Sequence, residues 1–499
     1  MMERLKNPWL AAGLMAVAAI LLGFAVFQAE LNTNGDNGSY ISYARSLAAG
    51  KGLTLASHPL HLKSDKFPIL YPLFLAFWIK FFGYHLFLLK VAMLGIFALG
   101  MALFLFIARR SFSGLLLLGL CALTATNYWL LDNATITMSE PFFMLFLLGA
   151  YLAFQRYEEH GRSTDLLLAI GCVLLTPFIR TIGIAPALAL FAWLAFKRKW
   201  RWLAGCGAAY ALFYLVNRGF MAPGGYGSIL FLADPYNPEM GTIGLPDLFR
   251  RIIDNALFYS ENTVQMTLFS FLGDQARFDR TSVLLFTVLF VVVFFALPLR
   301  EILRRPGALF LRLLVLLYLG ILLTWPMVWS GPRFVVPIIP FLLLILFENG
   351  HFWITRFVTP DLLPRLKKAA CAVCLLWSVL NFSAIYQKTH TPLTSDWTDF
   401  YRLAEWSKSA LPDSAVVCAR SPFLFYLKSN RMSVPIPFTL DRNKAFNHLK
   451  ENRAGYVVID HFQWTGSTQV YLAPLLEEFK DRFELVKTLG SAALYRVKE

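Results

Sequence analysis

Apolar runs long enough to cross a bilayer recur from Pro8 to Tyr386, many separated only by short polar gaps, and they constrain this chain more than any other feature. A membrane helix takes about 20 apolar residues, and a soluble domain has no interior for so many runs. The composition agrees: of 499 residues 57% are hydrophobic, 46 are Phe and only 15% are charged, where a soluble domain carries about 25% charge. The expected fold is a polytopic α-helical membrane protein. Candidate spans lie near 8–28, 84–108, 113–130, 141–156, 165–179, 182–196, 203–218, 281–299, 308–326, 334–347 and 369–386, or about 11 transmembrane helices.

The net charge of +15 would suggest nucleic acid in a soluble protein. Here the basic residues gather between apolar runs, at Arg109-Arg110, Lys197 to Arg201, Arg304-Arg305 and Lys367-Lys368. That is the distribution the positive-inside rule expects of cytoplasmic loops, so no nucleic-acid partner is expected. The N-terminal run from Pro8 to Phe27 is too long for a signal-peptide core and reads as a retained first helix. This orientation puts the N-terminus in the cytoplasm, and an odd number of spans puts the C-terminus outside. The six cysteines form no disulfide framework, and Cys371 and Cys374 lack further ligands nearby.

The chain divides into a transmembrane region, 1–386, and a soluble region, 387–499. The first has external loops at 29–82, 131–140, 219–280 and 327–333. Within 29–82 the spacing predicts a short helix at Gly38 to Leu47, and Ile69 to Trp78 suits a helix lying in the interface. The tail reads as a small extracytoplasmic α/β domain, with helices at Trp397 to Ser409 and Tyr471 to Phe479. Strands are expected at Ala415 to Ala419, Tyr456 to Ile459, Phe483 to Leu489 and Ala493 to Val497.

The few ionisable residues in the external loops form the shortlist. Asp36, in NGDNGSY, is either a turn residue or a carboxylate held at the membrane face to take a proton or orient a metal. Glu140 precedes Pro141 and either stabilises a helix N-terminus or joins Asp36 and Asp132 on one face. Lys63, Lys66, Arg180 and Arg333 either snorkel or gather to hold a phosphate. Tyr40 and Tyr71 flank these groups. His58 and His61 are three apart with Pro59 between, which suits loop packing better than a ligand pair.

The segments NGDNGSYISYARSLAAGKG, KFPILYPLFLAF, TITMSEPFFMLF, LLTPFIRTIGIAPALALFAWL and WSGPRFVVPIIPFLL resemble, in order, those of the polytopic glycosyltransferases of superfamily C (GT-C). The resemblance is to the bacterial branch of protein O-mannosyltransferase-like and aminoarabinose-transferase-like enzymes, and it spans nearly the whole chain. It implies transfer of a sugar from a polyprenyl-phosphate-linked donor to a glycan, lipid or protein acceptor, at the external face of the cytoplasmic (inner) membrane. Asp36 then matches the first-loop catalytic base or metal-linked carboxylate, and Glu140 matches the second acidic position. Lys66 is similar to the lysine of a Lys-Pro-Pro-Leu-x-Tyr element, although Phe67 replaces its first proline. Arg333 resembles the basic residue facing the leaving phosphate, and Arg180 is a less specific match. Single displacement implies inversion. Some relatives are linked to a divalent metal, but no ligand set in this sequence establishes one. The alternative, a transporter or flippase of a lipid-linked sugar, calls for charges deep within spans and for paired halves.

Overall fold

The computed structural model describes residues 7–222, 230–235, 240–275, 280–292 and 305–498. The chain opens with α1 (Pro8–Ala25), whose N-terminus is capped by the Asn7 side chain, and α2 (Gly35–Ala48), capped by Asn34. Then follow α3 (Leu70–Phe82), α4 (Leu86–Ala108), α5 (Gly114–Ala125), α6 (Tyr128–Ala134), α7 (Ser139–His160) and α8 (Ser163–Ile179). The helical region continues with α9 (Ile184–Phe196), α10 (Trp200–Phe220), α11 (Leu245–Leu268), α12 (Arg280–Val291), α13 (Ala308–Leu323), α14 (Ile339–Phe357) and α15 (Leu363–His390). One apolar core runs through the bundle; α7 lies at its centre, with Phe143, Leu147, Tyr151 and Phe154 all buried.

The expected count of about 11 transmembrane helices is overturned. Among the described residues only four helices are long and apolar enough to cross a bilayer: Pro8–Ala25, Leu86–Ala108, Pro332–Phe357 and Leu363–His390. A fifth arises if α5 and α6, bent by 53° at their junction, form one span. The sequence count treated eleven apolar runs as crossings, and three physical features defeat that. Some of the counted runs are short: α8 and α13 have 17 and 16 residues, and at about 1.5 Å per residue neither reaches the roughly 30 Å of a hydrocarbon core. The run from 165 to 196 breaks at Arg180, which is extended with φ −147° and ψ 143°. α7 has the length, at 22 residues, but carries Glu140, Arg156, Glu158 and Glu159. The span expected at 281–299 is described only to 292, and Arg304 also lies outside the described residues. Without an odd count, helix parity no longer assigns a side to the tail.

The tail folds around a five-stranded sheet. It comprises α16 (Ser395–Ala410), β1 (Val416–Ala419), α17 (Pro422–Ser429), β2 (Met432–Pro435), α18 (Arg442–Glu451), β3 (Tyr456–Ile459), α19 (Ala473–Glu478), β4 (Phe483–Leu489) and β5 (Ala492–Val497). The strand order is β2-β1-β3-β5-β4. β1 runs parallel to β2 and β3, while β5 is antiparallel to both β3 and β4. Sequence reading passed over α17, β2 and α18, because a four-residue buried strand and short helices carry little periodicity.

The tail is joined to the first external loop. The Ser433 amide donates to the Ser57 carbonyl at 2.7 Å, and the Tyr401 hydroxyl donates to the Leu31 carbonyl at 3.3 Å. α17 lies across α2 at Gly38, where a Cβ would come within 2.9 Å of the Phe423 Cβ. That contact is closer than side chains allow, so α2 needs glycine there.

Candidate functional site

Two ion pairs occupy the end of the bundle where α2, the start of α7, the end of α8 and the segment before α14 meet. Asn34 accepts from the Asp36 amide at 3.0 Å and so starts α2 with Asp36 in its first turn. Arg333 Nη2 donates to Asp36 Oδ2 at 2.5 Å, and Nη1 donates to Asn34 Oδ1 at 3.4 Å. Both side chains of this pair keep about a third of their surface exposed, 32% for Asp36 and 30% for Arg333.

The second pair is sealed. Glu140, in the first turn of α7, is fully buried. Arg180 Nη1 lies 2.6 Å from Glu140 Oε1 and donates to Ser139 Oγ at 2.8 Å. Neither Glu140 oxygen receives an aligned hydrogen bond among the described residues, so the guanidinium charge is its main compensation. The break that releases Arg180 from α8 is held by Thr176 Oγ1, which donates to the Gly183 carbonyl at 3.1 Å. Gly183 lies so close to the Thr176 and Pro177 backbone that no side chain fits there.

Aromatic residues tie the two pairs together. The Tyr40 hydroxyl shares a hydrogen bond with Ser139 Oγ at 2.9 Å, and its ring meets Tyr71 and Phe67 edge-on, each at 4.7 Å. Burial pushes the Tyr40 hydroxyl up to about 12, with Arg180 opposing and Glu140 and Asp36 adding to the rise. Tyr40 is therefore neutral at physiological pH and stands in the fields of both pairs. Phe334 lies between the cations: its ring centre is 5.2 Å from the Arg333 guanidinium and 5.7 Å from that of Arg180. Its carbonyl accepts from the Tyr318 hydroxyl at 2.8 Å.

Lys66 reaches the same late segment, its Nζ 4.6 Å from the centre of the Trp329 ring, a cation–π distance. The segment is anchored from α11, in the long loop 219–280. Asn255 Oδ1 accepts from Ser330 Oγ at 2.9 Å, while its Nδ2 donates to the Leu323 and Trp325 carbonyls.

Of the residues shortlisted from sequence, Asp36, Glu140, Arg180, Arg333 and Tyr40 come together. Lys66 joins through Trp329, and Tyr71 through the ring of Tyr40. Tyr71 is itself fully buried, with its hydroxyl 3.4 Å from Met93 Sδ. Lys63 is exposed, and only its backbone is engaged, in a bridge to Thr54. Asp132 points elsewhere and pairs with Lys388 of α15 at 3.0 Å. His58 is buried, and burial holds its imidazole below the usual value despite a hydrogen bond with Asn452 of the tail. It therefore packs the loop against the tail. Among the described residues no three His, Cys, Asp or Glu side chains come together as a metal-binding set.

Sequence reading missed Ser139, Asn34, Phe334, Trp329, Tyr318 and Asn255. Ser139 and Phe334 adjoin shortlisted residues, and Asn34 and Trp329 lie two and four residues from one, so these four had a signal in sequence proximity. Tyr318 and Asn255 lie in a helical run and a long loop, with nothing local to mark them.

No protein-family model and no curated protein matches this sequence. Two solved structures match the fold along nearly its whole length. ArnT from Cupriavidus metallidurans bound to undecaprenyl phosphate gives a TM-score of 0.59 at 12% identity, covering 98% of this chain and 97% of that one. The same protein in its apo state gives 0.57 at 13% identity, covering 98% of both chains. The chain therefore shares its fold with these ArnT structures.

Proposed function

We propose that this protein is an inverting glycosyltransferase that moves a sugar from a polyprenyl-phosphate-linked donor to an acceptor hydroxyl at the extracytoplasmic face. One observation carries the reading: a carboxylate and a guanidinium, Asp36 and Arg333, touch at a partly open surface beside Lys66 and Trp329. The fold supports it, since it is shared with an ArnT structure that holds undecaprenyl phosphate. The charge bias of the gaps supports a cytoplasmic N-terminus and hence an external first loop, and the tail is hydrogen-bonded to that loop.

In this reading the donor's lipid lies along the helices, and its phosphate takes Arg333 away from Asp36, with Lys66 completing the charge. Lys63, exposed nearby in sequence, attracts the phosphate from solution. The freed lone pairs of Asp36 then accept the acceptor's hydroxyl proton. The acceptor oxygen forms its bond to the anomeric carbon, the bond from that carbon to the phosphate oxygen breaks, and polyprenyl phosphate leaves with the electron pair. Arg333 and Lys66 offset its growing charge. Glu140 and Arg180 hold Ser139 and Tyr40 in place beneath.

The test uses purified protein in vesicles containing a polyprenyl-phosphate sugar and candidate acceptors. Wild type should transfer sugar, and Asp36→Asn should lose about 10²–10⁴-fold of the rate. Lipid movement without any transfer would overturn the proposal in favour of a flippase. Arg333→Ala should weaken donor binding about 10–100-fold, the worth of a charged hydrogen bond.

A further inference from the structure

The tail carries a cavity of its own, about 450 Å³, lined by the loop after β3, including His461, Gln463, Trp464 and Gln469. Its place in the topology is informative. From β1 the chain crosses to β2 on one side, then returns to β3 on the other, so the strand order β2-β1-β3 reverses at β1. In sheets with parallel strands, ligands bind beyond the carboxyl ends at such a reversal. The β3 loop lies at that end, as does Arg420, the residue that follows β1.

The chemistry there is mixed. Trp464 is 52% exposed. The Arg420 guanidinium lies 4.7 Å from the centre of its ring and 5.4 Å from that of Phe438. Gln469 Nε2 donates to the Asp460 carbonyl, and Thr468 Oγ1 donates to both Asp460 carboxylate oxygens at 3.0 Å, which fixes the loop. A half-exposed indole that carries a guanidinium on its ring and stacks on Trp397, with amide and imidazole groups along the same loop, matches a saccharide, with its apolar C–H edge and its ring of hydroxyls.

Resting on the glycosyltransferase reading, we infer that this cavity is a glycan-binding platform that holds the acceptor chain for the site at Asp36. The spacing is favourable. Arg420 is three residues from Phe423, which touches α2 at Gly38. At about 3.8 Å per residue plus the contact itself, the Arg420 Cα lies no more than about 25 Å from that of Asp36, the reach of a short oligosaccharide.

The experiment titrates the full-length detergent-solubilised protein with maltohexaose, chitohexaose and hexagalacturonate, followed by saturation-transfer NMR and tryptophan fluorescence. Polyprenyl-phosphate binding is measured on the same preparation. At least one oligosaccharide should bind, and Trp464→Ala should weaken it about tenfold at unchanged melting temperature, with Trp464→Phe restoring part. Gln469→Ala provides a second, milder variant should Trp464→Ala fold poorly, and it too should weaken binding. Absence of binding by all three sugars, or undiminished binding by the variants, overturns the platform. A wild type that binds sugar but not polyprenyl phosphate ends the glycosyltransferase reading and leaves the platform standing.

Discussion

Asp36–Arg333 and Glu140–Arg180 are chemically the same pair in two different settings. The first keeps about a third of each side chain in solvent, while in the second the carboxylate is fully buried and the guanidinium nearly so. An open pair can exchange partners, because a departing guanidinium leaves a carboxylate that water or substrate can reach. A sealed pair cannot, since separating it strands a charge in a low-dielectric interior. Under the proposed function, that difference gives the chemistry to the first pair and an architectural role to the second. The opposite end of α7 makes the contrast wider. Glu158 is about 27 Å along the helix from Glu140; it contacts Lys197 at 3.0 Å and accepts from the Gly307 amide at 2.5 Å. There the charges staple neighbouring helices.

The comparison breaks most sharply at Arg180. Arg180→Met should destabilise the protein by about 3–5 kcal/mol, the cost of an orphaned buried charge, and much of that loss should return when Glu140→Gln is added. Asp36→Asn, expected to slow transfer about 10²–10⁴-fold in the assay above, should leave the melting temperature close to wild type. Equal thermal losses in Arg180→Met and Asp36→Asn would erase the distinction.

A carboxylate buried in the tail sharpens it. Asp460 is buried beside Thr468, and loss of hydration raises its carboxyl from 3.8 to about 6, with Arg420 opposing more weakly. The folded state thus holds its proton more tightly than the unfolded state. Its contribution is favourable at pH below about 4 and is lost as pH rises through 6, about 3 kcal/mol in all. Melting temperatures across pH 4–7 should show a falling component that disappears in Asp460→Asn. A slope unchanged by that substitution would discount the burial argument. The smallest effect belongs to Asp132–Lys388, where the lysine is 38% exposed. Lys388→Ala should cost under about 1 kcal/mol and leave transfer intact; a large loss of transfer would draw Asp132 into the site.

Particular residues show what was legible before folding. Asp36, Glu140, Arg180 and Arg333 stood out because ionisable groups in short external gaps are scarce in an apolar chain, and all four meet. Asp132 satisfied the same criterion and points to α15 instead, since a helix of only seven residues turned it away. Proximity in loops does not fix direction. The helix count failed for a related reason: hydropathy records that a segment avoids water, and does not distinguish lipid from protein as the alternative. α9 has the apolar sequence of a span, yet Leu190, Trp193 and Leu194 are buried within the protein.

By itself, then, the sequence determined that this is a membrane protein, where its polar tail begins, and which charges are candidates, because burial and composition are local properties of a chain. Tertiary structure alone decided which apolar runs become long helices, which charges become partners, and which pair stays open. Those depend on what the rest of the fold leaves exposed. Arg333 lies 297 residues from Asp36 in sequence and 2.5 Å from it in space, and no local pattern encodes that meeting.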